Sequence, residues 1–163
     1  MKIFNSLTGK KETFKPKIKN EVSIYICGLT PYDDVHIGHA RTFINFDVIV
    51  KFLRFIGFKV KYVRNITDVD DKIINRAKEE GIPALDFSRK YIDEMHNDFF
   101  SLGIESPDIE PKVSDHIDEI ISMIQSLEEK GYAYRKDESD VYFDIQKFKD
   151  YGKLANRTLD QIS

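Results

Sequence analysis

Two short apolar runs organise the first part of the chain. Residues 22–27 are β-branched and apolar and lead directly into Gly28, which predicts a buried strand. Residues 58–66 form a second run of the same kind. About thirty residues separate the two runs, which is the length of a strand, helix and parallel strand unit. The pattern predicts an α/β fold and half of a doubly wound nucleotide-binding sheet.

The segment between these runs has a helical pattern. Residues 40–56 are apolar nearly all round, which predicts a helix packed largely inside the fold. A polar stripe at helical spacing interrupts it at Asp47, Lys51 and Arg54. Gly57 is predicted to end the helix in the usual C-terminal position.

Two further helices follow. Residues 70–80 predict a short helix with acidic residues at its positive end and Gly81 just past its close. Pro83 stands where a first helical turn tolerates proline, and Gly103 is expected to stop the helix that it begins. The predicted core face of that helix consists of Ala84, Tyr91, Ile92, Met95, Phe99 and Leu102.

The pattern changes after residue 104. Residues 105–111 carry two prolines and are predicted to be a linker. Ser114 can cap another helix. Its predicted core face is Ile117, Ile120, Ile121, Ile124 and Leu127. Residues 133–135 and 141–145, separated by the charged residues 136–140, predict a β-hairpin outside the nucleotide-binding fold.

Composition narrows the class of protein. The apolar fraction of 41% and the aromatic fraction of 12% favour a soluble globular chain with a real core. A net charge of −3 excludes a polycation that binds nucleic acid through phosphates along its whole length. No run approaches the roughly 18 apolar residues that span a bilayer, and the start lacks a signal-peptide pattern. We therefore predict a cytoplasmic protein.

Cys27 is the single cysteine, which excludes an intrachain disulfide. It could be a buried small residue, a reactive thiol or a metal ligand. His96 and His116 lie on predicted helices and do not form a metal-binding spacing with it. The residues by themselves favour a buried free thiol.

Candidate chemistry is concentrated in residues 27–41, between the first strand and the long helix. Ligands of open α/β sheets bind at the carboxyl ends of the strands, where this loop must lie. His36 and His39 stand three residues apart with Gly38 between them, on one side of an incipient helical turn. The helix N-terminus is expected to offer free N–H groups to a phosphate, and the imidazoles add donors for charge that develops on it. A single histidine here would be interpreted as an ordinary loop or cap residue. The two histidines together, after this strand and before this helix, favour a functional site.

Three carboxylates follow the second strand, at Asp68, Asp70 and Asp71. They could hold magnesium, but they also suit a helix N-terminus. We favour the second, structural interpretation.

The assembled motifs resemble cysteinyl-tRNA synthetases, a family of class I aminoacyl-tRNA synthetases. The resemblance covers essentially all 163 residues. Its most specific segments are the start of the chain, residues 25–30, Asp33, the His-Ile-Gly-His of residues 36–39, and residues 62–74. It implies that residues 1–113 are the first half of a Rossmann-like (HUP-type) parallel-sheet catalytic domain. Residues 114–163 are then the start of a connective insertion that helps to hold the acceptor stem of tRNA.

The resemblance also implies a role for individual residues. Cys27 corresponds to one of four ligands of a zinc ion that binds the substrate thiolate, with the other three expected beyond residue 163. His36 and His39 correspond to catalytic residues that bind ATP and stabilise its α-phosphate. The remaining implied residues are Thr30 and Gly38 for ATP or adenylate, and Gly28 and Thr67 for the amino acid.

The implied activity is that of a cysteine–tRNA ligase, which uses ATP with Mg²⁺ to form cysteinyl-adenylate and then transfers cysteine to tRNA(Cys). We expect a monomer with no membrane partner, and we expect the chain to be an N-terminal portion that is inactive by itself. Two alternatives stay open: a small-molecule cysteine ligase that shares the same pocket, and a nucleotide-binding module that has lost catalysis.

Overall fold

A computed structural model describes residues 1–136, 140–158 and 161. They divide into two compact units, one formed by Pro16–His116 and the other by Met1–Lys15 with Ile117–Ser163. We call these the larger and the smaller unit. The predicted division at residue 113 into a catalytic part and an insertion stays a prediction. The elements in chain order are β1 Lys2–Asn5, β2 Lys10–Thr13, β3 Glu21–Ile26, α1 Ile37–Phe55, β4 Lys59–Arg64, α2 Asp71–Glu80, α3 Ala84–Ser101, α4 Ile117–Glu129, β5 Ala133–Arg135 and β6 Val141–Phe143.

The larger unit is built on a parallel pair of strands. β3 and β4 pair in parallel from Glu21 opposite Lys59 to Ile26 opposite Arg64, and α1 connects them. Val22, Ile26 and Val60 from these strands are buried, as apolar strands under a helical layer should be. The predicted strand, helix and parallel strand unit is confirmed, and with it the α/β fold class.

The predicted linker at residues 105–111 does more than connect. Ile109 forms a parallel bridge with Val63 of β4, and Lys112 forms one with Ile66, two residues past the strand. The Arg64 amide donates to the Ile109 carbonyl at 3.1 Å. Prolines cannot donate to a ladder, so this segment adds a broken third row to the sheet in place of a regular strand.

Helix α1 is less buried than its composition predicts. It begins at Ile37, three residues before the predicted start. Among its residues, all of which the structure describes, the buried ones are Phe43, Asp47, Val50 and Leu53. Phe55 is 86% exposed. The prediction of a helix packed largely inside the fold is therefore wrong for the described chain.

The polar stripe of α1 contacts protein, although only Asp47 in it is buried. The Asp47 carboxylate is 6% exposed and accepts a hydrogen bond from the Glu105 amide at 2.8 Å. Lys51 Nζ lies 2.7 Å from the Asp47 carboxylate and donates to the Gly103 carbonyl. Arg54 pairs with Asp108 at 3.1 Å. The stripe thus satisfies the backbone of the segment that follows α3.

Helices α2 and α3 pack against each other. Asp70 caps α2 by accepting from the Lys72 amide at 2.9 Å, and Gly81 ends it in the left-handed conformation at φ 70°. Pro83 takes the N-cap position of α3. Ile73, Ala77, Phe87 and Tyr91 form the cluster between the two helices.

The predicted core face of α3 is largely confirmed. Tyr91, Ile92, Met95 and Phe99 are buried as predicted. Leu102 is 48% exposed, so its assignment to the core is wrong. It lies at the helix end, beyond the last turn that contacts the sheet layer.

The smaller unit contains two hairpins and α4. β1 pairs antiparallel with β2 in a hairpin that the sequence pattern did not predict. β5 pairs antiparallel with β6, which confirms the predicted hairpin. Its connecting residues 137–139 lie outside the described part. The predicted core face of α4 is not buried: within residues 117–129, all described, the structure has no buried residue. Over the described residues, no helix combines the length and the apolar character needed to cross a membrane.

Candidate functional site

The candidate site lies at the carboxyl ends of β3 and β4. The loop that follows β3 and the loop that follows β4 are joined there by two hydrogen bonds. The Gly28 amide donates to the Asn65 Oδ1 at 2.7 Å, and the Thr67 amide donates to the Leu29 carbonyl at 2.9 Å. The structure therefore brings Thr67 beside the loop that carries Cys27 and Gly28, as an open α/β sheet predicts.

Gly28 allows the two loops to approach closely. A Cβ atom at this position would lie 1.5 Å from the Asn65 carbonyl oxygen and 2.7 Å from its carbonyl carbon. The requirement for glycine here is steric, because the contact is with backbone that cannot rotate away.

His36 caps α1 with its own imidazole. His36 Nδ1 accepts from the amides of Gly38 at 3.1 Å and His39 at 3.4 Å, and His39 Nδ1 accepts from the His36 amide at 3.4 Å. The two rings stack with centroids 3.6 Å apart. The expectation of free N–H groups at this helix N-terminus is wrong for Gly38 and His39, whose amides are already bonded to His36.

This capping arrangement determines the tautomer of both rings. A backbone amide can only donate, so both Nδ1 atoms must be unprotonated acceptors. The ring proton of each neutral imidazole then sits on Nε2. Burial, and then repulsion from His36, lowers the pKa of His39 from its ordinary value of 6.5. Both effects favour a neutral His39 that can donate from Nε2.

A cavity of about 230 Å³ opens beside the two imidazoles. Thr30, His36 and His39 line it, together with Tyr91 and Met95 from α3. A larger and more open depression follows α4 in the smaller unit, but none of the predicted site residues lines it in the described chain. The smaller cavity is the better candidate because polar groups converge on it.

Helix α2 holds the wall of this cavity in place. The Lys72 Nζ lies 5.0 Å from the centroid of the Tyr32 ring, a cation–π contact. Arg76 lies 3.8 Å from the Asp33 carboxylate, and Tyr32 packs against the α2–α3 cluster. The loop between β3 and α1 therefore contacts α2 at Tyr32 and Asp33.

Cys27 is exposed, so the interpretation as a buried free thiol is wrong. An accessible thiol at a strand end fits one position of a zinc site, because thiolate is a preferred zinc ligand. Within the described residues, no three or more His, Cys, Asp or Glu side chains come together as a metal site. Cys27 could thus supply one ligand, while tetrahedral closure would require others.

The carboxylates after β4 have structural partners. Asp70 caps α2, and Asp71 lies in its first turn, which confirms the helix N-terminus interpretation for both. Asp68 differs. It is 3% exposed and accepts from the Ser114 amide at 2.9 Å and from the Ser114 hydroxyl. Ser114 lies in the 3₁₀ turn Val113–His116, and its hydroxyl donates to Asp68. It is therefore not the predicted cap of α4, which begins at Ile117.

Sequence reasoning missed two polar groups beside the site. Asn65 joins the Gly28 amide to the Thr67 hydroxyl through its two side-chain atoms. Arg64, with a side chain 3% exposed, pairs with Glu110 at 2.6 Å. Arg64 is the last residue of β4 and Asn65 is the first after it, and a polar residue at the carboxyl end of a parallel strand is the signal that could have found them.

Comparisons with known proteins show the family of the chain. The family model described as "tRNA synthetases class I (C) catalytic domain" matches residues 13–163. The cysteine–tRNA ligase of Idiomarina loihiensis is 52% identical over 160 residues, and that of Hahella chejuensis is 51% identical over 162 residues. These alignments cover 98% and 99% of this chain but 35% of each relative, so the chain spans about a third of their length.

Solved structures support the fold. The Mycobacterium tuberculosis methionyl-tRNA synthetase in complex with methionyl-adenylate matches with a TM-score of 0.61 at 22% identity, over 69% of this chain and 23% of that chain. The ternary LeuRS–tRNA–LeuAMS complex of Agrobacterium radiobacter K84 matches with a TM-score of 0.62 at 21% identity, over 76% of this chain and 16% of that chain. Together with the family model, they establish a Rossmann-like synthetase fold. The chain belongs to the class I tRNA synthetases, in the family of the class I (C) catalytic domain.

Proposed function

We propose that this chain supplies part of the amino-acid activation site of a cysteine–tRNA ligase. The observation that carries the proposal is the juxtaposition at one sheet edge of two stacked imidazoles, a cavity and an exposed thiol. The names of the relatives support the choice of cysteine. The proposal retains the cytoplasmic location and the monomeric state predicted from the sequence.

In the proposed first step, a carboxylate oxygen of cysteine attacks the α-phosphorus of ATP bound with Mg²⁺. A new phosphorus–oxygen bond forms, the bond to the β-phosphate breaks, and pyrophosphate leaves. Negative charge grows on the α-phosphate oxygens during this step. His36 and His39 would donate from Nε2 to those oxygens, since their Nδ1 atoms are occupied by backbone amides.

The remaining site residues would bind and orient the substrates. Thr30, which lines the cavity, and Gly38, at the start of α1, would contact the nucleotide. Thr67 and Gly28 would line the amino-acid subsite next to Cys27. The cysteinyl group would then pass to the 3′-terminal ribose of tRNA(Cys), with residues 114–163 contributing to the acceptor-stem contact.

Cys27 would be one ligand of a zinc ion in this subsite. When bound, zinc supplies a soft Lewis acid that prefers the thiolate of cysteine to the hydroxyl of serine, a distinction that packing around one atom cannot make as sharply.

The test is cysteine-dependent ATP–pyrophosphate exchange by the full protein that its gene encodes. His36→Asn and His39→Asn should each lower kcat on the order of 100-fold or more, the effect of removing one transition-state donor. His116→Asn, an exposed histidine in the 3₁₀ turn, is the matched control and should retain the rate.

Two results would contradict the proposal. Pyrophosphate exchange that responds to serine as strongly as to cysteine would contradict the assignment of cysteine as the substrate. Equal losses in all three variants would show that the imidazoles of α1 have no special role. Cysteine activation without transfer to tRNA would favour the small-molecule cysteine ligase.

A further inference from the structure

Asn65 occupies the junction between the two loops of the candidate site. It is the first residue after β4 and is half-buried. Its Oδ1 accepts from the Gly28 amide at 2.7 Å and from the Tyr25 hydroxyl at 2.9 Å. Its Nδ2 donates to the Thr67 hydroxyl oxygen at 3.3 Å. One side chain therefore contacts the strand before Cys27, the residue after Cys27 and the Thr67 hydroxyl on its own loop.

The orientation of this amide is determined by its surroundings. The Gly28 amide can only donate, so the atom that faces it must be Oδ1. The Nδ2 group then necessarily faces Thr67. Because the Thr67 oxygen accepts that hydrogen bond, the hydroxyl hydrogen is directed elsewhere and can be donated to a further acceptor.

The backbone of Thr67 is fixed as well. Its amide donates to the Leu29 carbonyl at 2.9 Å, on the same loop that begins at Cys27. The hydroxyl of Thr67 is thus held in position by its own main chain and in donor direction by Asn65. One lone pair of the hydroxyl is used by Asn65, and its hydrogen therefore points away from the Asn65 amide.

We propose that Asn65 is a positioning residue that sets the Thr67 hydroxyl as a hydrogen-bond donor to the carboxylate of the bound amino acid. The carboxylate of an amino acid only accepts, and the hydroxyl hydrogen of Thr67, directed away from the Asn65 amide, is the atom that can bond it. The inference rests on the proposed function, because it assigns Thr67 to the amino-acid subsite.

The decisive variant is Asn65→Asp in the full protein that its gene encodes. The aspartate keeps an acceptor for the Gly28 amide and nearly the same shape. It replaces Nδ2 by a second acceptor, so the Thr67 hydroxyl must turn and donate to it. We expect the KM for cysteine in pyrophosphate exchange to rise about 10- to 100-fold, the loss of one hydrogen bond to a charged group, with the KM for ATP changed less than about threefold.

A double-mutant cycle with Thr67→Val separates this role from a direct effect of the new charge. Valine has the shape of threonine without the hydroxyl, so Thr67→Val alone should raise the KM for cysteine by a similar factor. Asn65→Asp should then add little in the Thr67→Val background, because the donor has already been removed. Asn97→Asp, on the exposed face of α3, is the matched control for the change of charge and should leave both KM values unchanged.

The outcomes are distinct. Equal increases caused by Asn65→Asp in both backgrounds would mean that its charge repels the substrate directly, and this would overturn the inference. An unchanged KM for cysteine in Asn65→Asp or in Thr67→Val would overturn it too. If the unaltered protein shows no cysteine-dependent exchange, the proposed function itself fails, which is separate from a failure of Asn65 in an active enzyme.

Discussion

Gly28→Ala tests the close approach on which the site depends. The alanine Cβ would begin 1.5 Å from the Asn65 carbonyl oxygen, whereas real Cβ atoms essentially never come within 3.0 Å of another heavy atom. The two backbones must therefore separate by about 1.5 Å, the difference between these distances. The same movement stretches the 2.7 Å bond from the Gly28 amide to Asn65 beyond hydrogen-bonding length.

The expected cost follows from these two effects. Overpacking costs about 1–3 kcal/mol and an unmade hydrogen bond in a half-buried position about 1–3 kcal/mol. We expect the free energy of unfolding to fall by about 3 kcal/mol or more, which is on the order of 100-fold in the unfolding equilibrium. This is a large part of the stability of a small domain.

Urea unfolding followed by far-UV circular dichroism measures this change, since the chain has no tryptophan. A loss of this size lowers the unfolding midpoint by about 1–3 M at an ordinary m-value. Gly38→Ala is the matched control. Its Cβ would lie 2.8 Å from the His36 ring and would disturb the cap that this ring forms, so stability should fall by about 0.5–2 kcal/mol, less than for Gly28→Ala. The reasoning is refuted if Gly28→Ala is no less stable than Gly38→Ala.

Two further predictions concern buried and titratable groups. Glu110→Ala leaves the buried Arg64 guanidinium without its carboxylate and should lower the free energy of unfolding in urea by about 3–5 kcal/mol. Arg64→Met combined with Glu110→Gln should lower it clearly less. Equal losses in the two variants would contradict this prediction. Because the pKa of His39 is lowered in the folded chain, the unfolded chain takes up this proton first as the pH falls. The contribution of His39 to stability should be complete above pH 6.5 and be lost as the pH falls below it, and His39→Gln should remove this part of the pH dependence measured between pH 5 and 8.

Periodicity predicted element type well and side-chain environment less well. The stripe of Asp47, Lys51 and Arg54 has the spacing of a solvent-facing helix surface, yet it contacts the segment after α3. Periodicity reports that polar positions share a face, but the partner of that face comes from residues more than fifty positions away. The exposure of Leu102 has the same explanation. Its spacing continues the apolar face of α3, but periodicity does not show that the packing ends before this residue.

The candidate site shows the same division. His36 and His39 were identified from their spacing before a helix, because a local pattern determines where a cap can form. The spacing did not predict that the His36 ring bonds the amides of Gly38 and His39. In doing so, its Nδ1 atom competes with any ligand for those amides. For Cys27, residue type by itself favoured the interior and the family resemblance implied a zinc ligand; the structure shows that the residue is exposed.

The sequence by itself determined the strand, helix and strand order, the loop that carries the chemistry and the family, since each depends on residues that are neighbours along the chain. The tertiary structure decided how closely Gly28 approaches Asn65 and which atom of Asn65 faces Thr67. These features depend on contacts between loops that lie almost forty residues apart, and such contacts exist only once β3 and β4 pair in parallel and bring their carboxyl ends to one edge.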